Sequence, residues 1–227
     1  DNGPGVSATN PPQIDSAGMG WSAGAAPEDA KVVIYEFADF FCPACANFEA
    51  VIGSQIKEDL LPLEGVRLEF RTHQIINGSI NAAVAAQCAG AQGYFWQMHN
   101  LLFLNQQIFR MTQNNQPPVY AELATYVEGL DVAAFEACQS DPNLSADLVA
   151  FADDHRRVGI NATPTIVIVI GSDGGLLSGS QAITGNPSNP NVLVVIEDGE
   201  IIGGHRPQSY EEYYSIITEA VMLGVNR

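Results

Sequence analysis

The sequence predicts an α/β fold in which a central mixed sheet is flanked by helices and a helical subdomain is inserted into the chain of the sheet. Two observations lead to this fold class. Residues 31–73 have the pattern strand, helix, strand, and strand-like apolar runs return only at residue 165, after a long stretch of helical periodicity. A sheet built from two separated stretches of chain, with helices between them, accommodates this order.

The first unit is a strand, a helix and a second strand. Val32–Ala38 is an almost continuous apolar run, residues 42 to about 60 have helical periodicity, and residues 66–73 alternate between apolar and polar side chains. Two strands joined by a helix form a parallel pair with a crossover. Pro43 falls in the first turn of the helix, where the amide hydrogen that it lacks would have no helical partner.

The middle of the chain has helical periodicity and no convincing strand. We therefore assign residues 76–159 to an inserted helical subdomain. Trp96, Met98, His99 and Phe103 form an apolar stripe there and are expected to be core residues rather than a ligand site. Apolar residues recur at intervals of three and four in residues 82–92, 94–104, 120–128, 132–139 and 144–157.

Strand signals return in the last third of the chain. Thr165–Ile170 is apolar after its first residue, and two further strands are predicted for residues 192–196 and 200–202. Asp198-Gly199 between these two is typical of a two-residue hairpin turn. The last predicted element is a helix over residues 209–222, whose apolar side could face a sheet.

The domain boundaries follow from these elements and from composition. Residues 28–75 and 160–227 are assigned to the domain that contains the sheet. Residues 1–27, rich in Gly, Pro, Ser, Ala and Asn, are expected to be a flexible leader. A tether to a membrane anchor has this composition, and so has an ordinary frayed terminus. Residues 171–191, rich in Gly, Ser and Asn, are expected to form a surface excursion.

Composition and charge exclude several classes of partner. The 227 residues contain 26 acidic and 9 basic side chains, for a formal net charge of −17. Such a surface repels nucleic acid and anionic lipid, so we expect neither as a partner. No segment has the roughly 20 consecutive apolar residues that span a bilayer. No signal-like region opens the chain, so we expect that any export signal or membrane anchor was removed or never present.

Cys42 and Cys45 are the most informative residues, because they lie between the first strand and the first helix, separated by Pro43 and Ala44. The start of a helix offers unpaired amide groups and the positive end of the helix dipole, and both favour a thiolate. Cys42 is therefore expected to be the more acidic sulfur. Cys45 lies within one helical turn and can attack a mixed disulfide formed at Cys42, which is the geometry of thiol-disulfide exchange.

Two cysteines at this spacing are also a common pair of zinc ligands. A complete zinc site would need a second close pair, but Cys88 and Cys138 are 50 positions apart and the four histidines are scattered singly. The sequence therefore favours a redox pair over a metal site. It predicts no metal, and no cofactor besides the cysteines themselves.

Three segments carry a resemblance to a known family. They are residues 33–45 with the cysteine pair, residues 88–99, and residues 159–165 with a Thr-Pro-Thr entry into a strand. Their order resembles that of the DsbA-like branch of the thioredoxin superfamily, over about residues 25–223. The resemblance implies a thioredoxin-like fold and the activity of a protein thiol-disulfide oxidoreductase.

The resemblance also assigns roles to individual residues. It implies that Pro164 is cis and that Thr163 faces an extended substrate, in agreement with the near-confinement of cis bonds to X-Pro and with strand addition at an exposed edge. From the residues alone, a trans proline that starts an edge strand stays open. Glu36 matches a buried acid that helps to move the proton of the second cysteine, with a solvated, outward-pointing Glu36 as the alternative.

Two further expectations concern the other cysteines and the residues between the reactive pair. In an exported chain with an even cysteine count, Cys88 and Cys138 are expected to form a disulfide, contributing roughly 4 kcal/mol by chain entropy. Two buried thiols or a second redox relay are the alternatives. The best-known oxidase of the family has Pro-His where this chain has Pro43-Ala44, so Cys42 should be less acidic and the protein a weaker oxidant.

The expected function is the donation of the Cys42–Cys45 disulfide to reduced or unfolded exported proteins, in the periplasm or at the exterior of the cell envelope. The family implies reoxidation by a quinone-linked membrane partner of the DsbB or vitamin-K-epoxide-reductase (VKOR) type, and we expect a monomer. A reductase or isomerase of the same compartment is the first alternative, because direction depends on a few kcal/mol of thiolate stabilisation. A non-catalytic peptide-binding or chaperone module is the second.

Overall fold

The sheet has six strands in the order β1-β3-β2-β4-β5-β6. The computed structural model describes residues 19–111, 116–171, 184–185 and 192–227. The pairs β2-β3 and β4-β5 are parallel, and the other neighbours are antiparallel, so the predicted central mixed sheet is confirmed. The strands are β1 Trp21–Gly24, β2 Val32–Ala38, β3 Val66–Thr72, β4 Thr165–Ile170, β5 Leu193–Glu197 and β6 Glu200–His205.

The two central strands, β2 and β4, are buried at every residue. This burial explains why both are read in the sequence as apolar runs rather than as alternating patterns, since both faces of the sheet are covered. Their pairing is antiparallel and places Phe37 opposite Thr165. The end of β2 and the start of β4 therefore meet at one edge of the sheet, and the loops that hold the cysteine pair and Pro164 meet there too.

Helices cover the sheet and fill the chain between β3 and β4. Helix α1 continues into two π-helical segments, Glu49–Gly53 and Ile56–Leu60. Five of the six helices between β3 and β4 lie in stretches that the sequence predicts to be helical. The sixth, α4, is not predicted by the sequence. The helices are α1 Pro43–Phe48, α2 Ile80–Gly90, α3 Phe95–Leu104, α4 Gln106–Met111, α5 Pro117–Ala124, α6 Val132–Gln139, α7 Pro142–Arg157 and α8 Tyr210–Val225.

One face of the sheet carries the larger core, which includes Ile34 and Phe70 together with side chains of α1, α2, α3 and α8. The opposite face carries a smaller cluster around Tyr35 and Phe37. α8 lies close to the central strands, because a Cβ atom on Gly224 would be 2.2 Å from Cγ2 of Val32. The core thus holds the cysteine helix between the sheet and the inserted helices.

The predicted leader of residues 1–27 is too long. β1 pairs antiparallel with β3, and Trp21 is 2% exposed and stacks on Phe95 with ring centroids 5.1 Å apart. The single large aromatic residue supplies enough buried surface to anchor a four-residue edge strand in a segment of otherwise small residues. Residues 1–18 lie outside the described residues, and the choice between a tether and a frayed terminus lies there too.

The predicted excursion of residues 171–191 also lies largely outside the described residues. Within the described part, the Thr184 hydroxyl donates to the carbonyl of Gly159. The hairpin of β5 and β6 turns at Asp198 and Gly199, both with positive φ. Among the residues that the structure describes, no helix combines the length and hydrophobicity needed to cross a membrane.

Candidate active site

The cysteine pair lies at the start of α1, directly after the loop that leaves β2. Cys42 is the N-cap residue, and Cys45 is one turn into the helix. Both are free thiols in this structure, and Cys42 retains 6% of its exposure whereas Cys45 is fully buried. The sulfur that another protein can reach is therefore that of Cys42.

The loop before β4 lies against this sulfur. The Thr163–Pro164 peptide bond is cis. The Cys42 thiol donates a hydrogen bond of 3.3 Å to the carbonyl of Thr163. The trans alternative for Pro164 is thus not the one found, and the carbonyl of Thr163 lies beside the sulfur of Cys42.

The environment of Cys42 favours its thiolate. The thiol of Cys45 donates to the Cys42 sulfur and, against the opposing effect of burial, lowers the pKa of Cys42 from 9.0 to about 6, with help from Thr163 and from the amides of Ala44 and Cys45. The hydroxyl of Thr163 is buried and makes no hydrogen bond to any of the described residues. It is therefore available to donate to the Cys42 thiolate. At neutral pH, Cys42 is therefore mostly ionised.

Cys45 has the opposite environment. Its burial raises its pKa well above the usual range, and the neighbouring Cys42 raises it further. Cys45 thus keeps its proton while Cys42 is ionised. Any reaction in which the Cys45 sulfur becomes a nucleophile or a leaving group must therefore move a proton to or from a buried position.

A pair of buried carboxyl groups lies between β2 and the helix that carries Cys45. Glu36 in β2 is 1% exposed, which rules out the outward-pointing alternative. Burial raises its pKa well above the usual range, as do the charge of Glu49 and a hydrogen bond to it. Glu49 donates its backbone amide hydrogen to the carbonyl of Cys45, so it follows Cys45 by one helical turn. A proton taken up by this pair is therefore held by Glu36 rather than by Glu49.

Basic side chains complete this cluster. Lys57 donates to Oε2 of Glu49 at 2.6 Å, and Nε2 of His99 lies 3.8 Å from Oε1 of Glu49. Burial alone would raise the pKa of Glu49, but Lys57 and His99 hold it below its usual range. Gly53 leaves room for the carboxylate, since a Cβ atom there would lie 2.6 Å from it. With one carboxylate and one ammonium group, the cluster is close to neutral.

A family model described as thioredoxin matches residues 22–170, well over half of the chain. The chain belongs to the thioredoxin family. The predicted thioredoxin-like fold is confirmed by this match, and the Cys42–Cys45 pair with its cis-proline loop forms the candidate active site of this thioredoxin-family protein.

Similar proteins refine the assignment. The chain is 29% identical over 147 residues to the Na(+)/H(+) antiporter NhaA 3 of Salinispora tropica, a match that covers 63% of this chain and 21% of the antiporter. It is 25% identical over 144 residues to the disulfide bond formation protein D of Bacillus subtilis, covering 62% of this chain and 64% of that protein. The chain thus spans less than two thirds of the length of either relative.

A solved structure agrees over almost the whole length. The crystal structure of oxidised BdbD from Bacillus subtilis superposes with a TM-score of 0.64 and 19% identity, covering 96% of this chain and 97% of that one. The alpha-DsbA1 of Wolbachia pipientis superposes with a TM-score of 0.64 and 16% identity, covering 89% of this chain and 94% of that one. The resemblance to the DsbA-like branch is therefore confirmed at the level of the fold, which this thioredoxin-family chain shares with both structures.

Asp39 is a site residue to which the sequence assigns no role. It is fully buried, and its carboxylate accepts hydrogen bonds from the amides of Phe41, Ile75 and Ile76 and from the Ser79 hydroxyl, at 2.7 to 3.0 Å. Asp39 thereby ties the cysteine loop of this thioredoxin-family protein to the segment between β3 and α2. An acidic residue in a loop directly after an apolar strand is the only sequence signal of this role.

Gln106 also holds the cysteine loop, a role that the sequence does not predict. It lies at the start of α4, and its Nε2 donates at 2.8 Å to the carbonyl oxygens of both Phe40 and Cys42. The inserted helices thus fix the backbone of the first cysteine directly. Nothing in the local pattern around Gln106 marks it, because the contact joins residues more than 60 positions apart.

The other cysteines lie in the inserted helices. Cys88 in α2 and Cys138 in α6 form a disulfide with Cα atoms 5.7 Å apart. Neither takes part in the contacts of the thioredoxin-family active site described above. Among the described residues, no group of three or more His, Cys, Asp or Glu side chains is placed to hold a metal ion.

Proposed function

We propose that this protein is an exported thiol-disulfide oxidoreductase that works as an oxidase, donating the Cys42–Cys45 disulfide to reduced client proteins. One observation carries the proposal: the two sulfurs have opposite acidities, with the pKa of the accessible Cys42 lowered to about 6 and that of the buried Cys45 raised. A low pKa makes Cys42 a good leaving thiolate and favours the reduced state of the enzyme, which is the property of a disulfide donor.

The reaction proceeds in two exchange steps. A client thiolate attacks Cys42, a mixed disulfide forms, and the Cys42–Cys45 bond breaks with its electron pair passing to Cys45, which takes a proton from the Glu36–Glu49 pair. A second client thiolate then attacks the client sulfur of the mixed disulfide, and Cys42 leaves as a thiolate. The client gains a disulfide and the enzyme gains two electrons, and the carboxyl pair then regains one proton from water.

The loop before β4 is proposed to hold the client. The carbonyl of Thr163 lies 3.3 Å from the Cys42 sulfur, so a client cysteine that reaches Cys42 passes along this backbone. Main-chain hydrogen bonds to an extended segment require no particular client sequence. We therefore expect many unfolded or reduced exported proteins as substrates, and no cofactor besides the cysteine pair.

The acidity of Cys42 also sets an expected reduction potential. Lowering a thiol pKa from 9.0 to about 6 stabilises the reduced form at pH 7 by about 1.4 kcal/mol, or about 30 mV for two electrons. Scaling from thioredoxin, with a pKa of about 7 and a potential of about −270 mV, and from DsbA, with about 3.5 and about −120 mV, gives about −250 to −190 mV. This range lies above the potential of thioredoxin and below that of DsbA, so we expect a weaker oxidant than DsbA.

Turnover needs a partner that removes two electrons and one proton. We propose that a quinone-linked membrane protein of the DsbB or VKOR type reoxidises the enzyme outside the cytoplasm, and that the enzyme acts as a monomer. Purified wild type, mixed with membranes and a quinone, should then return from the dithiol to the disulfide form. If membranes reoxidise the enzyme no faster than air does, the proposed membrane partner is contradicted. The proposed exchange reaction with client proteins is not affected by that result.

Disulfide formation in a reduced client protein tests the enzymatic proposal. Oxidised wild type should restore the activity of reduced ribonuclease, and Cys42→Ser should not. Cys45→Ser, whose Cys42 is first converted to a mixed disulfide with nitrothiobenzoate, should release nitrothiobenzoate to a client thiolate and form a mixed disulfide with the client that is detectable by mass. The matched control is Cys88→Ala/Cys138→Ala, which leaves the proposed pair untouched. Equal activity of wild type and Cys42→Ser, or a measured potential below about −270 mV, would overturn the oxidase proposal.

A further inference from the structure

A cleft of about 310 Å³ opens between α3 and the helix that starts at α1. Its apolar wall includes Ala46 and Phe103, and its polar lining consists of Glu49, His99 and Asn100. The cleft therefore extends from the protein surface at Asn100 to the charge cluster at Glu49, one helical turn after Cys45. A polar passage into an otherwise apolar core has a cost in stability, which calls for a function.

His99 connects the two ends of this polar lining. Its ring is fully buried, with Nδ1 3.0 Å from Oδ1 of the exposed Asn100 and Nε2 3.8 Å from Oε1 of Glu49. Neither Nε2 nor that Oε1 atom has a hydrogen-bond partner among the described residues. The two facing atoms have room to take up or pass on a proton, either directly or through one water molecule.

The other sides of His99 are closed to water. Five aromatic rings surround the imidazole with centroids 4.7 to 5.9 Å away, those of Phe40, Phe70, Phe95, Trp96 and Phe103. Protons that leave the charge cluster past His99 therefore have one direction available, toward Asn100.

Burial and the charges that face His99 determine the protonation state of its imidazole. Burial lowers the pKa of His99 to about 4, Glu49 opposes this effect and Lys57 adds to it. His99 is thus neutral at pH 7, and a neutral imidazole has one nitrogen that accepts and one that donates. Glu36 faces the same cluster through Glu49.

We propose that this cleft is the proton port of the cysteine pair, with His99 as the positioning residue that moves protons between Glu49 and water at Asn100. The inference deepens the proposed function and rests on it. Each change of redox state moves one proton at Cys45, and the buried carboxyl pair can store that proton but must exchange it with water before the next cycle.

The proton step can be isolated with an aromatic disulfide, 5,5′-dithiobis(2-nitrobenzoate), as oxidant of the reduced protein. The Cys42 thiolate attacks it and releases the first nitrothiobenzoate. Cys45 then passes its proton to Glu49 and attacks Cys42, and the second nitrothiobenzoate leaves with the electron pair of the broken bond. Glu49 returns the proton to Nε2 of His99, while the proton on Nδ1 passes to water at Asn100.

Stopped-flow absorbance of the two nitrothiobenzoate releases separates the two cysteines. His99→Phe keeps the aromatic packing and should slow the second release at least about tenfold, toward the range of general acid-base effects, while the first release stays within about twofold. His155→Phe is the matched control, because His155 is also fully buried but contacts Phe37, His73 and Phe151 on the other side of the sheet. It should change neither release.

Chemical rescue distinguishes transfer from packing. In His99→Ala, added imidazole should restore the rate of the second release, whereas pyrrole, which has the same shape but no accepting nitrogen, should not. Equal second releases in wild type and His99→Phe, or equal rescue by both compounds, would overturn the port and leave the oxidase proposal standing. Absence of a fast first release in wild type would instead contradict the proposed function itself.

Discussion

The two cysteine pairs of this chain show how differently one fold can treat the same side chain. Cys42 and Cys45 have two residues between them, lie at the start of α1 and are free thiols. Cys88 and Cys138 are 50 positions apart, lie within α2 and α6 and form a disulfide. The first pair is surrounded by hydrogen-bond donors and a carboxyl cluster. The second lies beside the small apolar residues of α2.

The backbone around each cysteine therefore decides its chemistry more than its burial does. Cys42 and Cys88 are both nearly inaccessible, at 6% and 1% exposure. Only Cys42 caps a helix and faces the hydroxyl and carbonyl of Thr163. The first pair is therefore arranged for exchange and the second for holding α2 against α6.

The largest expected effect comes from removing the second pair. Cys88→Ala/Cys138→Ala should lower the free energy of unfolding by about 4 kcal/mol, because the disulfide closes a loop across 50 positions. Urea unfolding followed by circular dichroism measures this loss. Disulfide transfer by the folded fraction should be unchanged, and a loss of transfer without a loss of stability would contradict the division of roles.

A redox titration should separate the two pairs next. Buried structural disulfides commonly have potentials below about −300 mV, so the second pair should be at least about 50 mV more reducing than the first, roughly 2 kcal/mol. Alkylation and peptide mass spectrometry after equilibration with dithiothreitol would report each pair separately. Reduction of both pairs at one potential would show that the two disulfides do not differ in redox stability.

The pH dependence of stability should distinguish the two pairs, because only the first pair consists of free thiols that can titrate. Because the folded pKa of Cys42, about 6, lies below its ordinary value of 9.0, the unfolded chain binds a proton that the folded chain lacks between these values. The contribution of Cys42 is therefore complete above pH 9 and is lost as the pH falls to 6, with a slope of about 1.4 kcal/mol per pH unit. Unfolding of the reduced protein against Cys42→Ala, at pH 6, 7 and 8, measures it.

The smallest predicted effect concerns the residue between the reactive cysteines. Ala44→His places a donor and, when protonated, a positive charge beside Cys42, and a further drop of about one pKa unit should raise the reduction potential by about 30 mV. Equilibration with glutathione measures the potential, and the rate of Cys42 alkylation against pH measures the pKa. Ala44→Gln serves as the control without charge, and an equal shift in both variants would show that charge is not the cause.

The sequence predicts those features that have strong local signals. The apolar runs of β2 and β4, the cysteine pair at a helix start and the hairpin at Asp198 are all of this kind, and the structure has each of them. The sequence does not predict β1, because its four residues lie in a segment of small side chains in which only Trp21 indicates burial.

The charge cluster could not be predicted, because it depends on tertiary contacts and on unusual helix geometry. Glu49 and Lys57 lie on the π-helical continuation of α1, where hydrogen bonds between residues five apart change which side chains share a face. His99 has the spacing of a core residue, and it is one. Its approach to Glu49 is set by how α3 packs on α1, which no pattern within either helix records.

Asp39 has a consequence for the newly made chain. Three of its four hydrogen-bond donors lie 36 to 40 residues further along, at Ile75, Ile76 and Ser79. During synthesis, the loop that carries Cys42 cannot be fixed until that later segment has emerged and docked. An unfinished chain therefore presents two ordinary thiols, and its cysteines become competent for exchange only when the surrounding fold is assembled.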